Sequence, residues 1–193
     1  MKIETEIKLT LTNVNIVDLI EKIERTFSIK RSKLFHQVTH QFFENDFTKQ
    51  EAFPRIRNEE DGTNTLTVKA KIKDDNQNYF KRVELETSIS DVENVVNMMP
   101  YFGFKNKISW EKKRINFYSN NDINDINDIK FCISLDETPM GYFLEIESTE
   151  AEIEKIIKML ELDDSQRTSK PYLGLWDEYK KANHIDEADM MFK

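Results

Sequence analysis

Acidic and basic residues recur two apart along this chain. Glu4, Glu6 and Lys8 keep that interval near the start, and so do Arg55 and Arg57, Lys69 and Lys71, Arg82 with Glu84 and Glu86, Lys112 and Arg114, and Glu145 with Glu147; Asp136 ends another apolar-rich run. A spacing of two puts side chains on one face of a β-strand. Carboxylates two apart on neighbouring strands make an oxygen-rich site suited to Mg²⁺ or Mn²⁺. Arg forks match phosphate oxygens bidentately, and Lys adds a compact positive charge. The two sets together describe a cage for a metal-bound polyphosphate.

The elements that must carry these residues read with period two. Strands are expected at Lys2–Thr10, Gln37–Asn45, Phe53–Glu59, Thr65–Lys71, Tyr79–Thr87, Ile108–Tyr118, Lys130–Asp136 and Gly141–Ser148. Helices are expected at Val14–Phe27, at Ser90–Met99 behind a Ser cap, at Glu150–Leu162 and from Pro171 to Ala182. Eight strands with few crossovers predict an α+β fold, an eight-stranded antiparallel β-barrel with helices packed outside. Ile7 and Leu9 oppose the first charged set, Val83 and Leu85 the fifth, and Leu144 and Ile146 the last. If helices cover those apolar faces, the charged faces line the lumen as a tunnel. Charges there must pair, bind ions or stay hydrated, because unpaired burial is very costly.

Composition narrows the alternatives. The 193 residues suit one domain, read as 1–183 with a tail at 184–193 that is a short helix or disordered. A single cysteine, Cys132, gives no disulfide framework, and it is expected to be a small buried residue rather than a nucleophile. His36, His40 and His184 are too scattered for a zinc site, and four glycines supply no Gly-rich phosphate loop. Trp110 and Trp176 read as packing anchors, and the threefold Asn-Asp-Ile repeat from Asn121 to Ile129 as an expanded hairpin loop. No apolar run approaches a membrane span, so the expected location is cytoplasmic with no membrane partner. The formal net charge of −8 disfavours extended nucleic acid. It does not disfavour a small triphosphate held by bases gathered on one set of strand faces.

The ordered set resembles the CYTH superfamily, the triphosphate tunnel metalloenzymes. The resemblance rests on Glu4-Thr5-Glu6-Ile7-Lys8, Arg55-Ile56-Arg57, Leu66-Thr67-Val68-Lys69, Arg82-Val83-Glu84-Leu85-Glu86, Lys112-Lys113-Arg114, Leu135-Asp136 and Phe143-Leu144-Glu145-Ile146-Glu147. Ser169-Lys170-Pro171-Tyr172-Leu173 resembles a Ser-Tyr-Leu element of bacterial members. The resemblance implies divalent-metal ligands at Glu4, Glu6, Glu84, Glu86, Asp136, Glu145 and Glu147, with Mg²⁺ or Mn²⁺ as cofactor. It implies phosphate binding by Lys8, Arg55, Arg57, Lys69, Arg82, Lys112 and Arg114, and it makes Glu4, Glu6 and Lys8 the candidate catalytic residues.

Two activities share such a cage. One is hydrolysis of a triphosphate such as tripolyphosphate, ATP or thiamine triphosphate. The other is a class IV adenylyl cyclase reaction, in which the ATP 3′-hydroxyl attacks the α-phosphorus and pyrophosphate leaves. A polyphosphate-binding module without turnover is a third reading, disfavoured because anion binding alone does not need so many carboxylates. The exposed-helix pattern permits a homodimer.

Overall fold

A computed structural model describes residues 2–44, 52–72, 79–119 and 130–193; the Asn-Asp-Ile repeat and Asp74–Asn78 lie outside the described residues. The strands are β1 (Lys2–Thr10), β2 (Phe35–Phe43), β3 (Ala52–Glu59), β4 (Asn64–Lys71), β5 (Phe80–Ser88), β6 (Asn106–Tyr118), β7 (Cys132–Thr138), β8 (Gly141–Glu147) and the two-residue β9 (Arg167–Thr168). The helices are α1 (Ile16–Phe27), α2 (Val92–Met98), α3 (Glu150–Met159) and α4 (Tyr172–Asn183). No helix among the described residues is long and apolar enough to cross a membrane.

All pairings of the long strands are antiparallel, and the order β5-β4-β3-β2-β6-β7-β8-β1 closes on itself through β1–β5. This is the expected closed eight-stranded barrel. β1 is the seam: Lys2–Glu6 pair with β5, Glu6–Thr10 with β8, and Lys8 and Leu9 also with β9. Closure gives every long strand a neighbour on both sides, over part of its length at least.

The apolar faces of β1, β7 and β8 point outward under helices, as predicted, whereas Leu85 of β5 is exposed and uncovered. Ile7, Leu9, Ile133, Leu135, Leu144 and Ile146 form one cluster with Leu19, Ile20, Ile23 and Phe27 of α1 and Ile153, Ile156 and Ile157 of α3. Full burial of each such side chain contributes about 1.5–3 kcal/mol. Both helices are well started. Asn15 accepts from the amides of Val17 and Asp18, and Thr149 with Glu152 forms a reciprocal capping box. α2 starts at Asp91, which accepts from the Asn94 amide at 2.9 Å, so the cap is one residue later than expected at Ser90. Asp91 wins because its carboxylate also takes the Asn94 side-chain amide.

The segment after α4 is neither a helix nor unanchored. Met190 is fully buried and bridges Trp110 in parallel, with Met190 N donating to Ser109 O and Glu111 N donating to Met190 O. β7 pairs only with Lys113–Tyr118 of β6, so the first half of β6 has a free edge that this strap occupies. Asp189 and Trp176 fasten it further, Asp189 accepting from Ser109 N at 2.8 Å and Trp176 Nε1 donating to Ala188 O at 3.0 Å.

Candidate active site in the barrel lumen

The barrel encloses a cavity of about 1570 Å³. Strand alternation sends Glu4, Glu6 and Lys8 from β1, Arg82, Glu84 and Glu86 from β5, Lys69 from β4 and Arg55 and Arg57 from β3 to its wall. Lys112 and Arg114 from β6 and Glu145 and Glu147 from β8 complete the charged lining. Thirteen of the fourteen expected site residues therefore share one cavity.

Asp136 does not line it. Its carboxylate is wholly buried behind the wall, where Lys112 Nζ and Tyr172 Oη reach Oδ2 at 2.9 and 2.6 Å. Arg114 grips the same group bidentately, Nε to Oδ1 and Nη2 to Oδ2, each at 2.6 Å. Burial alone would raise this carboxyl, but Arg114 and Lys112 hold it below the usual carboxylate range.

Two charged clusters share the lumen. In the first, Glu145 meets Lys8 at 2.7 Å and also takes Arg114 Nη2. Burial would raise the Glu145 carboxyl, yet Lys8, Lys112 and Arg114 hold it well below the ordinary range. Burial and Arg114 push Lys112 down in turn, against Asp136 and Glu145. In the second, Lys69 Nζ bridges Glu4 at 2.6 Å and Glu84 at 3.3 Å, and Arg55 reaches Glu84 at 3.2 Å. Burial, then a hydrogen bond shared with Glu4, pushes Glu84 up to about 7.

The β3 wall carries two guanidinium groups with spare donors. The Nε atoms of Arg55 and Arg57 are buried with no hydrogen-bond partner among the described residues. Burial, Arg55 and Arg114 together lower the Arg57 guanidinium. Such donors fit the acceptor oxygens of a phosphate chain.

The acidic residues fit a hard divalent ion in a specific sense. Among the described residues no three acidic, His or Cys groups gather closely enough to cage a cation alone. Glu4 and Glu84, by contrast, form a close acid pair from adjacent strands, bridged by Lys69. Mg²⁺ is typically held by one or two carboxylates plus water and substrate phosphates, which matches this donor set.

Some lining residues were not picked out from sequence. Gln37 lines the lumen and bonds Glu59 at 2.5 Å, and Thr67, wholly buried, bonds the lining Glu86 at 2.8 Å. Thr67 keeps the two-residue interval with Lys69, whereas Gln37 lies between Phe35 and Thr39 on its strand face and has no charged neighbour to mark it. Cys132, expected to be buried, is half-buried on the wall, because β7 alternation puts it on the face shared with Ser134. Trp110 and Trp176 are packing anchors, clustered with Phe143, Tyr172 and Met190, and they also border the cavity. The side chain of Lys71 is not described.

Comparisons with known proteins agree with this architecture. The CYTH domain pattern matches residues 2–170. The structure is similar to that of protein PH1819 from Pyrococcus horikoshii, with 26% identity and a TM-score of 0.65 over 91% of this chain and 99% of that one. A conserved hypothetical protein from Pyrococcus furiosus aligns with 22% identity and a TM-score of 0.69 over 89% of this chain and 99% of that one. HpAC1 from Hippeastrum, classed with adenylyl cyclases and described as having a dominant triphosphatase activity, aligns with 16% identity and a TM-score of 0.51 over 94% of this chain and 88% of that one. No curated protein matches the chain. With the closed barrel, the charged lumen and the match along most of its length, this chain belongs to the CYTH domain family.

Proposed function

We propose that this protein is a divalent-metal-dependent hydrolase of small triphosphates bound within the barrel. The observation that carries the reading is that Arg55 and Arg57, whose buried Nε donors have no hydrogen-bond partner among the described residues, line a lumen rich in carboxylates. Glu4, Glu6, Glu84, Glu86, Glu145 and Glu147 are the residues that would hold Mg²⁺ or Mn²⁺. When bound, the ion supplies Lewis-acid stabilisation of phosphate oxygens. Arg55, Arg57, Lys69 and Arg82 bind and orient the phosphate chain. Lys8, Lys112 and Arg114 neutralise charge on the transferring group, the main task of the protein in phosphoryl transfer. The carboxylate of Glu6 or Glu4 takes up the proton of the attacking water. Asp136 has its oxygens committed to Lys112, Arg114 and Tyr172, so it serves as the anchor of the basic wall rather than as an ion ligand.

Incubation with tripolyphosphate and Mg²⁺ is expected to release orthophosphate, and Glu6→Gln is expected to abolish that release while the chain stays folded. Cyclic AMP from ATP, without orthophosphate from tripolyphosphate, would instead make the protein a cyclase. Full activity in Glu6→Gln would remove Glu6 from the assignment.

A further inference from the structure

Tyr172 opens α4, yet its side chain reaches into the basic wall of the lumen. The residue is buried and lines the cavity. Its ring face lies beneath two ammonium groups, with Lys8 Nζ 4.4 Å and Lys112 Nζ 5.1 Å from the ring centroid. Its hydroxyl donates to Asp136 Oδ2 at 2.6 Å, the same oxygen that takes Lys112 and Arg114. Phe143 meets the ring edge-on, with centroids 5.3 Å apart and planes at 86°. The ring therefore has little freedom to turn.

From these contacts we infer that Tyr172 is a positioning residue for Lys8 and Lys112, holding both ammonium groups toward the lumen through its ring face while its hydroxyl locks the ring to Asp136. The physical need is local. Lys8, Lys112 and Arg114 are three cations crowded round two carboxylates, Asp136 and Glu145. Like charges so close repel and would splay apart. The negative face of an aromatic ring attracts both lysines without adding a formal charge, so it restrains them while leaving their positive field available to an incoming anion. A third carboxylate there would satisfy the lysines and weaken anion capture. The role in catalysis rests on the triphosphatase reading; the placement of the ammonium groups does not.

The test compares full-length wild type, Tyr172→Phe, which keeps the ring, and Tyr172→Leu, which removes it. The ε-methylene protons of Lys8 and Lys112, read by NMR on lysine-labelled protein, are expected to be ring-shifted upfield in wild type and Tyr172→Phe and to lose that shift in Tyr172→Leu. Binding of inorganic tripolyphosphate by calorimetry is expected to weaken by about threefold in Tyr172→Phe, and by about tenfold or more in Tyr172→Leu, from loss of buried cation–π contacts. With Mg²⁺ present the loss is expected mainly in KM rather than kcat, because the lysines hold phosphate before and during reaction. A purely structural tyrosine would lower the unfolding midpoint and leave binding and KM unchanged; that result in folded Tyr172→Leu overturns the inference. If Tyr172→Leu does not fold, unshifted lysine resonances in wild type overturn it, and shifted ones retained in Tyr172→Phe support it. A wild-type protein that hydrolyses no triphosphate defeats the proposed activity alone, and the lysine resonances still decide the placement.

Discussion

The ammonium of Lys69 lies 2.6 Å from Glu4 Oε2, reaching from β4 across β5 to β1. Its second contact, Glu84 at 3.3 Å, belongs to the strand it crosses. One lysine thus neutralises two carboxylates that would otherwise confront each other. Replacing it by Met removes the cation the two carboxylates share, leaving Arg55 on Glu84, and about 3 kcal/mol of stability is expected to be lost. Adding Glu84→Gln in the same chain removes one of the facing charges and is expected to recover part of the loss. Urea unfolding of both single variants and the double variant measures this coupling. Strictly additive losses would show that Lys69 and Glu84 are not coupled.

Arg57 is expected to resist conservative replacement. Its buried guanidinium offers a rigid fork, including an Nε with no hydrogen-bond partner among the described residues, and lysine cannot reproduce that geometry. Arg57→Lys should raise KM for tripolyphosphate by about ten- to a hundredfold, the equivalent of one charge-assisted hydrogen bond. An unchanged KM would place the phosphate chain elsewhere in the lumen.

Cys132 supplies a chemical probe of the wall. Burial raises its thiol above the ordinary value, outweighing Ser134 and Arg114. The reactive thiolate is correspondingly scarce near pH 8. Alkylation by iodoacetamide at that pH should be slower than in the urea-unfolded chain, and its rate should keep climbing at pH values where an ordinary thiol has levelled off. Tripolyphosphate should slow it further, since Cys132 borders the cavity. Mass spectrometry of the labelled chain reads all three effects, and a native rate equal to the unfolded one would contradict the burial.

Met190→Ala tests the strap on β6. The side chain is wholly buried against Trp110, Phe143, Tyr172 and Trp176. Its truncation should cost roughly 2–5 kcal/mol, the range for a large side chain removed from a core. Circular dichroism during urea titration gives the value. A change below about 0.5 kcal/mol, the usual range for surface substitutions, would mean the strap is dispensable to the fold.

The alternation of charged and apolar residues carried most of the barrel and its lumen, because period-two patterning is a local property. Glu4, Glu6 and Lys8 could be placed on one face from five consecutive residues. Tyr172 could not be given a task, because its partner Asp136 is 36 positions away and only the closed barrel brings α4 to that wall. Asp136 shows the same limit in reverse. Its charge and strand parity match those of the lumen acids, and only the crowding of Lys112, Arg114 and Tyr172 on its oxygens sets it apart. The strap was hidden because pairing with a free edge needs no alternating pattern of its own. Of residues 184–193 only Met190 is buried, and nothing local distinguishes it from Ile185, Met191 or Phe192.

The cluster of Trp110, Trp176 and Met190 has an optical consequence. The chain has two tryptophans, and both border the same cavity. Its indole emission therefore comes from one wall of the lumen, with no background from tryptophans elsewhere. The protein carries a native fluorophore at the place where occupancy changes, so filling or emptying of the barrel can be followed in real time on unlabelled material.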